Sequence, residues 1–228
     1  MYIFSVSMLF LTFKKELTLS ILLQNSIFFL YISYLLFKYF IRSNSKEFNL
    51  ASKVTYIRIS ISVVLFTAAI NSNIYSNIFN IFYIERIFIL LALISLLLDG
   101  LDGFIARKYN QVTEFGELID QEADNFLILI MTISLYLNRD VDFYIFLIPA
   151  YRYIFIFLMA KYAWLKRRLP ESHIRKLACV LTIIFLIIAQ ESHLTINSTF
   201  LVNLALFIIT FSFSRDIIWL YRKNYEKL

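Results

Sequence analysis

One cysteine, Cys179, stands in the whole 228-residue chain, inside an apolar run. A single thiol closes no disulfide within the chain and builds no cysteine-based metal site. Glycine is nearly as scarce, with three residues, and proline has two, Pro149 and Pro170. No internal repeat, low-complexity tract or second domain is visible. The largest shortage is of polar side chains: 17% of residues are charged and 60% are hydrophobic. Soluble domains carry roughly 45–50% apolar residues, so this chain has too few polar residues to coat a soluble core. It is also rich in Ile, Phe, Tyr, Asn and Lys, a bias that inflates hydropathy. Run length and charge placement therefore carry the reading.

Apolar runs near 20 residues separated by short polar segments predict an all-α bundle of transmembrane helices. Residues 2–13 are too short to span and read as interfacial. Residues 17–40 are long enough, and Lys38 can snorkel near the end. After the polar, basic stretch 42–53 come 54–70, 84–106, 118–137, 142–164, 174–190 and 198–220. The expected layout is six core spans (residues 46–228) preceded by an additional hydrophobic helix in an N-terminal extension, residues 1–45. Arg215 and Asp216 suggest that the final turns of the last span leave the membrane. Lys14 and Lys15 follow the first apolar run, and no small-residue cleavage site appears, which argues against a cleaved signal peptide.

Net charge is +6. The basic residues sit at the ends of the oily runs, where they suit anionic headgroups rather than nucleic acid. Segments 42–58, 107–117, 161–176 and 221–228 hold most of the Lys and Arg, whereas 71–83, 138–142 and 191–197 hold only Arg139. The positive-inside rule puts the first group in the cytoplasm. Trp164, Trp219 and Tyr221 read as interfacial anchors. His173, in a basic loop, and His193, on the opposite side, read as solvated and incidental.

Against this background one stretch stands out: LLLDGLDGFIARKYNQVTEFGELIDQEADN, residues 96–125. It holds all three glycines and seven of the sixteen acids. Asp99 and Asp102 are three apart, and Asp120 and Asp124 are four apart, so on helices each pair shares a face. Either pair alone reads as a solvated loop. Together, at the cytoplasmic ends of two membrane spans, they point to function. Four converging carboxylates repel one another unless cations intervene, and an all-carboxylate set suits Mg²⁺ or Mn²⁺ better than zinc. Two such ions clamp a phosphate or diphosphate. Gly103 and Gly116 allow a ligand close to the backbone, or alternatively close helix packing. Arg107 can reach a phosphate with its fork. Glu114, Glu117 and Glu122 read as solvated or supporting.

The order Asp99-x-x-Asp102-Gly103-x-x-Ala106-Arg107, eight residues, then Gly116-x-x-x-Asp120-x-x-x-Asp124 resembles, position for position, the defining motif of the CDP-alcohol phosphatidyltransferase family. The resemblance covers about residues 49–222. It implies an integral-membrane enzyme that moves a phosphatidyl group from CDP-diacylglycerol to the hydroxyl of a small alcohol and releases CMP. It further implies two divalent ions on Asp99, Asp102, Asp120 and Asp124, with Asp124 also the catalytic base. Gly103, Ala106, Arg107, Thr113 and Gly116 would line the CDP site. Upstream, Ser52-x-x-Thr55-x-x-Arg58 resembles a family segment that touches the nucleotide, with Ser52 in place of the usual asparagine. Members are commonly dimers, so the resemblance also implies a homodimer.

Arg152, in mid-span, needs an anion or a carboxylate partner. The resemblance makes Arg152, Arg175 and Lys176 an acceptor-phosphate site; Lys176 matches a family Gly-Lys pair, and Arg175 replaces its glycine. DQEADN stands where glycerol-phosphate and cardiolipin-forming members carry DPLADK. The reading is thus a divergent bacterial branch with glycerol 3-phosphate as the favoured acceptor, in the inner (plasma) membrane with its active site on the cytoplasmic face. Inositol phosphate, serine, choline and phosphatidylglycerol remain open as acceptors. An intramembrane prenyltransferase or a non-enzymatic divalent-cation membrane protein would also gather intramembrane carboxylates. The first would place its acidic motifs in separate halves of a larger bundle. The second would leave the glycine and arginine spacing without purpose.

Overall fold

A computed structural model of the chain describes residues 19–42, 50–72, 81–109, 113–139, 141–166, 173–192 and 197–225. The described residues form seven α-helices and no strand: α1 (Leu19–Arg42), α2 (Leu50–Ile70), α3 (Ile81–Lys108), α4 (Glu114–Asn138), α5 (Leu147–Lys161), α6 (His173–Ile188) and α7 (Ser198–Tyr225). Short 3₁₀ turns, Phe143–Phe146 and Ala163–Lys166, flank α5. The interfacial segment expected at 2–13 lies outside the described residues, as does His193.

Among the described residues four helices are long and apolar enough to cross a membrane: Lys53–Ile70, Tyr83–Ile105, Phe143–Lys161 and Ser198–Lys223. They coincide with four of the expected spans, and the chain is an integral membrane protein. At 16 residues α6 rises only about 24 Å, at ~1.5 Å per residue, short of a hydrocarbon core ~30 Å thick. Large apolar side chains stay exposed along single faces, as with Leu90, Leu97 and Phe104 on α3 and Phe207 and Phe211 on α7. Such stripes are what lipid contact requires.

The chain divides into two compact units, residues 1–124 and 125–228, so the boundary falls within α4 after Asp124. In the first unit α2 packs along α3, and α1 packs on α2. The α1–α2 seam combines a Phe28–Phe66 stack, centroids 4.5 Å apart, with polar contacts. Thr67 Oγ1 donates to Asn25 Oδ1 at 2.5 Å, and the Ser33 and Tyr56 hydroxyls lie 3.0 Å apart. Ile32 of α1 packs against a buried trio, Ile59 of α2 with Ile119 and Ala123 of α4. Polar residues within α2 bond their own helix: Ser60 to the Tyr56 carbonyl at 2.8 Å, Ser62 to that of Arg58 at 3.0 Å. A buried hydroxyl thereby keeps a partner where water is absent.

In the second unit α6 packs along α7, and α5 also lies against α7. Tyr151 stacks on Phe213 at 5.6 Å, and Trp164 meets Tyr221 edge-on at 5.8 Å. Gln190, just past α6, holds the far end of α4: its amide donates to the Met131 carbonyl at 3.1 Å and accepts from Ser134 Oγ at 3.1 Å. Arg139 donates to the Gln190 carbonyl. The polar ends of two apolar helices thus satisfy each other.

Candidate active site

Three helices of the first unit bring the acidic residues together. The i, i+3 spacing puts Asp99 and Asp102 on one face of α3, and the i, i+4 spacing does the same for Asp120 and Asp124 on α4. Thr55 and Arg58, three apart on α2, face both pairs. Thr113 starts α4 by accepting the Gly116 N–H on its Oγ1 at 3.0 Å, while its carbonyl accepts from Glu117 N–H at 3.0 Å. This is a side-chain cap on the helix that carries Asp120 and Asp124.

Arg58 is the centre of the cluster. Its residue exposure is 1%. Nη1 donates to Asp99 and lies 3.5 Å from Asp102 Oδ2. Nη2 lies 3.6 Å from Asp124 Oδ1 and 4.0 Å from Asp120 Oδ1, and donates to the Asp120 backbone carbonyl at 3.1 Å. Thr55 Oγ1 faces Asp120 Oδ1 at 2.9 Å and Asp102 Oδ2 at 3.2 Å. Its one proton is shared between two carboxylates. Asp102 is the buried floor, with a side chain 2% exposed, whereas those of Asp99, Asp120 and Asp124 are 29%, 36% and 27% exposed and form an open rim. Four carboxylates around one guanidinium leave a formal excess of three negative charges when all are ionised.

This donor set fits hard divalent cations. Its ligands are oxygens only, they already converge on one cation, and three remain open to entering ions. Among the described residues no three acidic, His or Cys side chains are grouped closely enough to hold a metal as they stand. Arg58 occupies their common ground.

Of the nucleotide-site residues expected from sequence, Thr55 touches the aspartates and Thr113 caps α4. Gly103 is half-buried on α3. A Cβ built on Gly100 would meet open space, and one on Gly116 would come within 3.1 Å of Thr113 Oγ1. The side chains of Ser52, Ala106 and Arg107 lie outside the described residues. Arg152, Arg175 and Lys176 belong to the second unit. There Arg152 is half-buried on α5, Lys176 is exposed on α6, and Arg175 Nη1 meets Asp216 Oδ2 of α7 at 3.4 Å. Arg215 joins the same carboxylate group at 3.1 Å.

Two residues carry more than sequence reasoning gave them. Arg58 was legible only as part of the upstream motif, and Asp216 only as the mark of a span's end. A signal for Asp216 existed, because arginines on membrane helices demand acids and the last span holds one.

The sequence model of the CDP-alcohol phosphatidyltransferase family matches residues 48–214. Curated relatives include the CDP-diacylglycerol–glycerol-3-phosphate 3-phosphatidyltransferases of Rickettsia bellii, 37% identical over 95 residues, and Rickettsia typhi, 38% identical over 89 residues. The matches cover 41% and 39% of this chain and 48% and 50% of those proteins. The chain thus spans about half the length of the curated relatives it matches.

Proposed function

The chain belongs to the CDP-alcohol phosphatidyltransferase family, and from that premise we propose that it transfers a phosphatidyl group from CDP-diacylglycerol to glycerol 3-phosphate, releasing CMP. The observation that carries this reading is the convergence of Asp99, Asp102, Asp120 and Asp124 on one buried point. The acceptor is supported by the names of the Rickettsia relatives and by the cationic side chains Arg152, Arg175 and Lys176.

The four aspartates would hold two Mg²⁺ or Mn²⁺ ions, which supply charge neutralisation for a diphosphate. Asp124 takes the proton of the acceptor hydroxyl as that oxygen bonds to the phosphatidyl phosphorus. The bond from that phosphorus to the bridging oxygen breaks, and CMP leaves with the electron pair. Thr55 orients Asp120 and Asp102 through its shared proton. Gly103, Ala106 and Gly116 let the nucleotide lie against the backbone, with Ser52, Arg107 and Thr113 beside it. Arg152, Arg175 and Lys176 take the acceptor's phosphate, and Asp216 pairs with Arg175 at 3.4 Å.

The accompanying architecture is six core spans in residues 46–228, the 16-residue α6 crossing where the bilayer thins around it, preceded by the helix of the 1–45 extension. The site lies on the cytoplasmic face of a bacterial inner membrane, in a homodimer. The test is CMP release by detergent-purified protein given CDP-diacylglycerol, a divalent ion and a panel of acceptors. Metal-dependent release with glycerol 3-phosphate, lost in folded Asp124→Asn, is expected. Release with another acceptor would overturn the substrate, and failure to bind CDP-diacylglycerol would overturn the reading as a whole.

A further inference from the structure

We propose that Arg58 is the resident cation of the acidic site. It holds the four carboxylates together when no divalent ion is bound and yields contacts with them as divalent ions enter. The inference rests on the metal-binding reading above and concerns how that site is loaded.

The argument begins with burial. A guanidinium with 1% residue exposure has lost its water and must be compensated by anions. Arg58 finds them on two helices: Asp99 and Asp102 on α3, Asp124 and the Asp120 carbonyl on α4. Conversely, four carboxylates drawn together without a cation would drive α3 and α4 apart. Each offsets the cost of burying the other.

The geometry also separates two approaches. Arg58 enters from the buried side, next to Asp102, whereas Asp99, Asp120 and Asp124 form the open rim. An ion arriving at the rim meets Asp99, Asp120 and Asp124 before the buried Asp102. Once there, they compete with it for the same oxygens.

The guanidinium is also equipped to give ground. Its Nε is buried with no hydrogen-bond partner, so its present pose leaves one donor unused. Its bond to the Asp120 carbonyl, 3.1 Å, goes to a backbone oxygen rather than to a carboxylate. That tether persists when the carboxylates turn to other cations. Entry of divalent ions is then an exchange of partners, and the site's affinity for them is lower than four carboxylates alone would provide.

The experiment measures Mn²⁺ binding by the loss of the free-ion EPR signal, with thermal melts in detergent with and without Mn²⁺, so no turnover is read. The proteins are wild type, Arg58→Gln, Arg58→Lys and, as a control for the site, Asp124→Asn. Arg58→Gln is expected to bind Mn²⁺ at least roughly tenfold more tightly than wild type, to melt lower without metal, and to regain stability with it. Arg58→Lys keeps the charge but loses the fork. It is expected to bind within about threefold of wild type yet to melt lower without metal. Recovery of Arg58→Gln only from membranes extracted in Mn²⁺ supports the proposal equally. Equal or weaker Mn²⁺ binding by Arg58→Gln overturns it while leaving the metal site standing. So does an Arg58→Lys protein as stable as wild type without metal. Mn²⁺ bound by none of the proteins, or bound equally by Asp124→Asn, overturns the metal-binding reading and this inference with it.

Discussion

Thr55 Oγ1 lies 2.9 Å from Asp120 Oδ1, so one hydroxyl ties α2 to the helix that carries half of the acidic site. The same oxygen lies 3.2 Å from Asp102 on α3, so a single neutral side chain reaches both helices that carry the aspartates. Thr55→Val keeps the shape and removes the donor. It is expected to lower stability by about 1–3 kcal/mol and to reduce CMP release, whereas Thr55→Ser retains most of both. Melts and turnover on the two variants check this, and a valine variant that behaves like the serine variant would count against it.

Asp216 stands between Arg175 and Arg215, at 3.4 Å and 3.1 Å. Asp216→Asn removes the charge that holds Arg175 in place. The expected kinetic signature is a KM for glycerol 3-phosphate raised by roughly tenfold, with kcat changed much less and Mn²⁺ binding unchanged. An equal fall in kcat at saturating acceptor would show that the ion pair does not serve acceptor binding.

Gln190 closes the polar end of the second unit by bonding Met131 and Ser134. Gln190→Leu leaves the Ser134 hydroxyl without that partner and is expected to cost about 1–3 kcal/mol of stability. Turnover per folded molecule should stay near wild type. A melt unchanged from wild type would mean that lipid or water takes over the bonds.

Ile32 packs on the trio Ile59, Ile119 and Ala123, on the helices that carry Arg58, Asp120 and Asp124. Ile32→Ala is expected to lower stability by roughly 1–2 kcal/mol, less than a fully buried isoleucine because the site is only partly enclosed. Ile27, on the exposed side of α1 at 66%, serves as the comparison. Ile27→Ala should melt like wild type, and equal losses at the two positions would remove the case for specific packing by α1.

What the sequence determines by itself here is local. Run length predicts the four long membrane helices because crossing the hydrocarbon core demands a minimum apolar length wherever the segment sits. The aspartate pairs are legible because three- and four-residue spacing is a property of one helix alone. The spacing of Gly103, Arg107 and Gly116 around them suffices to find the family. The tertiary structure decided what those pairs face. Arg58 and Asp99 are 41 residues apart in sequence, as are Arg175 and Asp216, and no periodicity relates residues on different helices. The same holds for Ile32, which reads in sequence as one more apolar residue of an added helix. Burial made the difference: a buried guanidinium must have anions beside it, and only the packing of α2 against its neighbours decided which ones.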